Sequence, residues 1–464
     1  MGIFIADVEV DAVRCSVLVE GSFVVAMGAD IVRPLDSYLI DGNSGTLLPG
    51  LHDHHVHLLS DAATTRSVVV GPPDVCTSQE FRRVLGDAAR APGRNSIRAI
   101  GYHESVAGLL DRHVLDEIVA ARPVRVQHRS GSMWFLNSLC IEQSGLDDVR
   151  DPGVERDAGG RVTGRLFRGD HYFGIGEGTN IDDLRSLSHD AARRGVTGFT
   201  DATPNQTSTG IEALVAAHDR GAILQHLTLM SPADVEVPSR DGVDAGPVKV
   251  LLDDVGLPSL EELVDTIARA HRANRAVAIH CVTDLQTALA LSAIDVAGPN
   301  GRDRIEHGSI MPVAFDALAR ACRVTVVTQP HFVSERGDDY LRDVPERLHD
   351  VLYRARSLLD AGVGVAGGTD APFGSNDPWD AIAAATRRTT RSGEVLGSHE
   401  RLSAREAIGL FTGQAHRPAR PRRVEVGARA DLCLLALDTA STLEDLSSQN
   451  VRATIIDGRV VHER

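Results

Sequence analysis

Short β-rich runs alternate with helical segments through the middle of this chain. That alternation restricts the fold more than any other feature. Candidate strands cover 52–57, 196–201, 224–230, 247–252, 276–281, 303–307, 324–329 and 364–370. Helical patterns separate most of them, at 259–274, 311–322, 350–361, 377–390 and 403–415. In the clearest, SLEELVDTIARAHRAN, Ser259 can cap the helix and Glu262 completes a capping box. Leu260, Leu263, Ile267 and Ala270 keep its apolar side on a 3.6-residue period. Eight strands separated by helices predict an α/β protein built on a (β/α)8 TIM barrel. Its active site is then expected at the C-terminal ends of the strands.

The two ends of the chain read differently. Residues 1–50 and 424–464 are β-rich, with EVDAVRCSVLVE at one end and VRATIIDGRVVHE at the other, and both carry Asp-Gly turn signals. They predict one small β domain assembled from both termini, leaving 51–423 for the barrel. The stretch 62–190 is too long for a single strand-to-helix connection. It reads as an insertion with strands of its own at 98–103 and 124–129. RPARPRR at 417–423 reads as a solvated linker.

Charge and composition narrow the partners. Forty-eight basic against 64 acidic residues leave a formal charge of −16, with no long basic run, which disfavours nucleic acid and anionic membranes. No uncharged apolar stretch approaches a membrane span, and MGIFIADVEV lacks the layout of a secretory signal. The six cysteines are scattered and read as reduced thiols, so a cytoplasmic location is expected. Among the 48 basic residues a single one, Lys249, is lysine. A lysine can act as a neutral amine where arginine cannot.

The densest chemistry lies in His52-Asp53-His54-His55-Val56-His57, directly after Pro49-Gly50. A strand places residues i and i+2 on one face, so His55 and His57 point the same way. Distant partners end other strands: His280 in AIHC, His307 in RIEHG and Asp370 in GGTDAP. From Lys249 to His280 is 31 residues, from His280 to His307 is 27, and from His307 to Asp370 is 63. One strand–helix unit takes about thirty residues, so these steps are one, one and two units. The four residues then end strands four, five, six and eight. Imidazoles with a carboxylate suit Zn²⁺ or a similar divalent ion. Such an ion lowers the pKa of bound water, and a nearby carboxylate can move the proton. A desolvated Lys249 can react with CO2 to give a carbamate able to bridge two ions.

PGLHDHHVH, PVKV, AIHC, RIEHG and GGTDAP together resemble the amidohydrolase superfamily. In detail they are similar to its amidohydrolase-3 branch, which includes N-substituted formamide deformylases. The resemblance covers almost the whole chain. It implies a distorted (β/α)8 barrel with a small β-sandwich domain. It also implies His55, His57, Lys249, His280, His307 and Asp370 as metal ligands. Lys249 matches the lysine carbamylated in binuclear members, and Asp370 matches the catalytic proton shuttle. The implied cofactor is a divalent metal, zinc first, with one or two ions per chain. A homodimer is compatible with the resemblance. His52 and His54 fall outside the ligand positions and read as supporting or surface groups. Ser132, in VQHRSGSMWFLNS, departs from a histidine often found in that segment.

Four further residues are candidates for substrate binding. His331 follows the seventh strand and Asp201 ends the second. Tyr102 and His128 end the inserted strands and read as part of a pocket roof. The expected activity is hydrolysis of a C–N bond in an amide-type small molecule, N-formyl and cyclic amides included. Metal-bound hydroxide attacks and Asp370 carries the proton. The same site would also suit a lactone or other ester, or deamination of a heterocycle. A non-catalytic scaffold on this fold is the alternative of another class, and the intact set of six ligand positions argues against it.

Overall fold

The computed structural model describes residues 2–92, 96–173 and 180–464. Two compact units emerge, Leu59–Asp183 and the remainder of the chain. In the larger unit eight strands follow one another in chain order around one sheet. They are β1 (Leu51–Val56), β2 (Val196–Asp201), β3 (His226–Ser231), β4 (Val243–Leu251), β5 (Val277–Cys281), β6 (Arg304–His307), β7 (Thr325–Thr328) and β8 (Gly364–Gly367). Every hydrogen-bonded neighbour pair is parallel. Between β8 and β1 the ring closes through two backbone bonds just past β8, Asp370 N–H to the His55 carbonyl at 2.7 Å and His57 N–H to the Ala371 carbonyl at 2.9 Å. That seam requires a glycine. A Cβ at Gly368 would lie 2.5 Å from His55 Cβ and 2.7 Å from its nitrogen.

The helices pack their apolar stripes on this sheet. Leu260–Arg272 has Ser259 as its cap and both halves of the capping box, and it buries Leu263, Ile267 and Ala270. Leu260, one turn earlier, is 42% exposed and lies outside the stripe. Ser259→Ala is expected to lower stability by about 1 kcal/mol, read as a shift in denaturant midpoint at constant slope.

Three expectations are corrected here. The helix at 350–361 is broken into a 3-10 turn, Glu346–Val351, and a short helix, Arg356–Asp360. Tyr353 between them has φ 46°, and the buried Arg354 turns inward to the Met311 carbonyl and the Asp316 carboxylate. The helix at 403–415 ends at Gly409, because Gly413–Gln414 pairs with Arg417–Pro421. For the same reason 417–423 is a strand with an anchored end and not an irregular linker, although most of its residues are exposed as expected: Arg422 donates to the carbonyls of Gly413 and Gly50.

The chain ends share a seven-stranded sheet. Ile3–Val10, Val13–Glu20, Phe23–Gly28 and Tyr38–Pro49 join Leu432–Leu435, Val451–Ile456 and Arg459–Glu463. Tyr38–Pro49 pairs with Ile3–Val10 and, through its last residues, with Leu432–Leu435. Val8, Val17, Ile40 and Leu47 bury with Leu432 and Ile455 in one core.

Leu59–Asp183 carries a six-stranded sheet where the sequence predicts two strands. Val68–Val69, Ile97–Tyr102 and Val124–His128 are parallel, and Met133–Leu136, Val162–Phe167 and Val154–Arg156 extend them antiparallel. The additional strands are two to six residues long. Among the described residues no helix is long and apolar enough to cross a membrane.

Candidate metal centre

All six residues of β1 are buried. His52 and His54 stack with ring centroids 4.5 Å apart, and His52 Nε2 lies 2.8 Å from Thr200 Oγ1. They are interior groups, which removes the surface alternative for both. His55 and His57 meet with ring centroids 5.3 Å apart and turn towards Asp370. His57 Nε2 is 3.0 Å from Asp370 Oδ1, His55 Nε2 is 3.5 Å from the same oxygen, and His307 Nδ1 is 3.9 Å from Oδ2. The His307 ring centroid lies 4.7 Å from that of His55 and 4.6 Å from that of His280. One donor atom from each of His55, His307 and Asp370 falls within 4.8 Å of the other two.

Backbone conformation aims these groups. Along β6, alternation gives Arg304 and Glu306 one face and would send His307 to the other. His307 has φ 67° and Asp370 has φ 54°. Left-handed backbone at non-glycine residues is costly and concentrates at functional sites. Here it turns the last residue of β6 and the exit of β8 into the cluster.

Lys249, on β4, is buried beside this group. Its Nζ and His55 Nε2 are buried polar atoms with no hydrogen-bond partner. Orphaned buried polar atoms of this kind call for a further group. The protonation states fit a cation, because metal ligands must be deprotonated. Burial, with the Lys249 charge, pushes the His55 imidazole well below its ordinary value. Burial also lowers His307, against the opposing pull of Asp370. Lys249 is pushed down by burial although Glu306 and Asp370 oppose it. Burial tends to raise Asp370, but the imidazoles of His307, His57 and His55 outweigh it and hold the carboxyl well below its usual range.

Several residues that the sequence leaves unassigned hold this cluster. Glu306 accepts a short hydrogen bond from His55 Nδ1. That bond fixes the His55 tautomer and leaves Nε2 free to face Asp370. Arg304 Nε donates to Glu306 at 2.7 Å. Gln329 Oε1 is 2.9 Å from His307 Nδ1. Asp53 accepts from the Thr369 and His55 amides at 2.9 and 3.1 Å, bracing the segment before Asp370. An R-x-E pair inside a short buried strand was the available sequence signal for Arg304 and Glu306. Glu306→Gln is expected to weaken metal binding by about 10–100-fold, read by competition with a chelating dye.

The substrate candidates divide. His331 is buried next to the Asp370 segment; its Nε2–H donates to the Thr369 carbonyl at 3.0 Å and its Nδ1 has no partner. Asp201 is corrected to a structural brace. It is fully buried and accepts from Leu58 N, Thr203 N and Gln206 Nε2, which ties down the chain just after His57. Tyr102 is corrected to a core residue of the inserted unit. Its hydroxyl donates to the Gly108 carbonyl and its ring packs against Phe81 and Phe135. His128 contacts Glu104 and Ser130 within that unit. Cys281 is buried and its thiol is pushed far up by burial, so it is inert as a nucleophile.

Imidazoles and a carboxylate gathered at the strand ends of an eight-stranded parallel barrel define a class, the metal-dependent barrel hydrolases. The sequence model of the Amidohydrolase family matches residues 39–462, and the chain belongs to that family. N-substituted formamide deformylase from Arthrobacter pascens is 25% identical, covering 97% of this chain and 95% of that protein. Putative amidohydrolase YtcJ from Bacillus subtilis (strain 168) is 22% identical, covering 91% and 90%. Among solved structures, an uncharacterized metal-dependent hydrolase from Pyrococcus horikoshii OT3 superposes with a TM-score of 0.74 at 17% identity, covering 94% of this chain and 98% of that one. A mutant of atrazine chlorohydrolase TrzN from Arthrobacter aurescens TC1, solved with zinc and atraton, gives 0.59 at 16% identity, covering 99% and 95%.

Proposed function

We propose that the chain hydrolyses a C–N bond in an amide-type small molecule, N-formyl and cyclic amides included. One observation carries this reading: Asp370 meets His55, His57 and His307 beside a buried Lys249 whose amine has no partner. The deformylase name of the Arthrobacter pascens relative supports the bond type. His55, His57, Lys249, His280, His307 and Asp370 would hold one or two divalent ions, zinc being well suited to such donors. When bound, a divalent ion polarises a carbonyl and makes water acidic enough to ionise near neutral pH.

The protein's own part is proton transfer and positioning. Ionised Asp370 accepts a proton from water as the oxygen attacks the carbonyl carbon. Protonated Asp370 then delivers it to the departing nitrogen, which is a poor leaving group as an anion. Glu306 and Gln329 keep His55 and His307 oriented throughout. His331 Nδ1 has no partner while its Nε2–H donates to Thr369, and it would serve as an acceptor for an N–H of the substrate. Lys249, as a neutral amine, can add to CO2. The N–C bond forms, a proton leaves the nitrogen, and the resulting carbamate offers two oxygens for a pair of ions.

The test is a panel of N-substituted formamides, cyclic amides, lactones and aminoheterocycles at fixed zinc concentration. Turnover confined to amide-type members supports the reading. Turnover of lactones or aminoheterocycles alone overturns it.

A further inference from the structure

The inserted unit holds a second donor cluster of its own. Its parallel strands Ile97–Tyr102 and Val124–His128 place Tyr102 opposite His128. The chain exits bring His103 and His128 together, with ring centroids 5.7 Å apart. Glu104 reaches both: its Oε2 lies 3.1 Å from His128 Nε2 and 3.6 Å from His103 Nε2. One donor atom from each of the three falls within 4.8 Å of the others.

These separations have meaning for a small cation. Ligand atoms at zinc's usual bond lengths of about 2.0–2.2 Å in a tetrahedron stand roughly 3.3–3.6 Å apart. The two Glu104 distances bracket or reach that edge. The far side of each ring is also supported. His103 Nδ1 is 2.8 Å from Ser105 Oγ, and His128 Nδ1 is 2.7 Å from Ser130 Oγ, which in turn is 2.8 Å from Ser132 Oγ. Metal-ligating histidines take this kind of support on their second nitrogen. The Ser105 and Ser130 amides approach the same Nδ1 atoms at 3.3 and 3.2 Å. Without an ion, therefore, both Nδ1 atoms accept, and His128 Nε2–H donates to Glu104. Metal uptake would move each proton from Nε2 to Nδ1, where the serine oxygen accepts it and the long contact from the serine amide is given up, so no net proton is lost.

Charge and access agree with the geometry. Burial lowers the His128 imidazole below its ordinary value, against the opposing pull of Glu104. Burial tends to raise Glu104, but its own backbone N–H and His128 hold the carboxyl below the usual range. Both histidine side chains are 15% exposed and Glu104 is 46% exposed, which leaves an ion a path from solution.

We propose that His103, Glu104 and His128 form a second divalent-metal site of zinc type, built wholly from the inserted unit. It clamps the exits of two neighbouring strands, and an ion bound only by the folded form raises the melting temperature.

Zinc titration of the full chain carrying His55→Ala and His307→Ala tests this, read by calorimetry and equilibrium dialysis. One zinc equivalent is expected to remain. Adding His103→Ala and His128→Ala should weaken it by at least about 100-fold, beyond the loss typical of a supporting residue. The zinc-dependent rise in melting temperature should vanish with it. Glu104→Gln, at a partly exposed side chain, is expected to weaken the same equivalent while the fold is retained. If the barrel variant does not fold, Glu104→Gln in the otherwise native chain should remove one equivalent and leave the rest. Zinc stoichiometry and affinity unchanged by these substitutions, or no equivalent left in the folded barrel variant, overturns the proposal.

Discussion

Asp370→Asn is expected to lower kcat by about 10²–10⁴-fold while the fold and most of the bound metal are retained. The size follows from the loss of general acid–base catalysis, which contributes about 10²–10⁴-fold on its own. Asparagine keeps the shape and one coordinating oxygen, but it cannot take a proton from water and return it to nitrogen. The surroundings of Asp370 keep it ionised. Burial works against ionisation, and three imidazoles overcome it. The carboxylate is therefore ionised at neutral pH and available as a base. Steady-state kinetics beside metal content separate the two roles: a fall in kcat with metal retained marks proton transfer, and a parallel loss of metal marks ligation. Full turnover with metal bound would remove Asp370 from the mechanism.

Metal removal should have the second large effect. Dialysis against a strong chelator is expected to abolish activity, and a divalent ion added back should restore it. The pH dependence of this metal loss has a definite sign. His55 and His307 have imidazole pKa values pushed below the ordinary value in the folded chain. The unfolded chain then binds more protons than the folded one as pH falls through the ordinary histidine range, near 6.5. The metal-free fold should lose stability on acidification through that range and keep it above. Because the folded imidazoles protonate only at lower pH, metal should stay bound somewhat below the ordinary histidine range. Melting temperatures of the metal-free chain between pH 5 and 8 check the first point, and metal retention on acidification checks the second.

The barrel was legible in sequence because short strand-like runs alternate with helical patterns at a regular spacing. AIHC ends at Cys281 and RIEHG one residue beyond His307, where β5 and β6 stop, and GGTDAP begins at Gly367, the last residue of β8. The spacing from Lys249 to Asp370 reports the strand–helix repeat directly. What the sequence hides depends on the third dimension. Glu306 is adjacent to His307, yet its hydrogen bond to His55 spans 251 residues. Tyr102 looks like a strand-end polar group, but its hydroxyl is satisfied six residues away by Gly108, which frees the ring for the core. Asp201 looks like a strand-end ligand, and its carboxylate is consumed by backbone and Gln206 donors. The helix at 350–361 has helical periodicity, and only the burial of Arg354 against Asp316 shows why it breaks. Hydrophobic period reports burial. It does not report which buried polar groups find each other.

The central claim is that the barrel cluster holds a divalent ion. Elemental analysis of the full chain purified without added metal tests it most directly, run beside the His55→Ala His307→Ala variant under identical conditions. Any ion held by the inserted unit cancels in the difference. The expected result is at least about one divalent ion per chain lost from the variant, with native-like circular dichroism retained. Equal metal content in the two folded proteins would contradict the account.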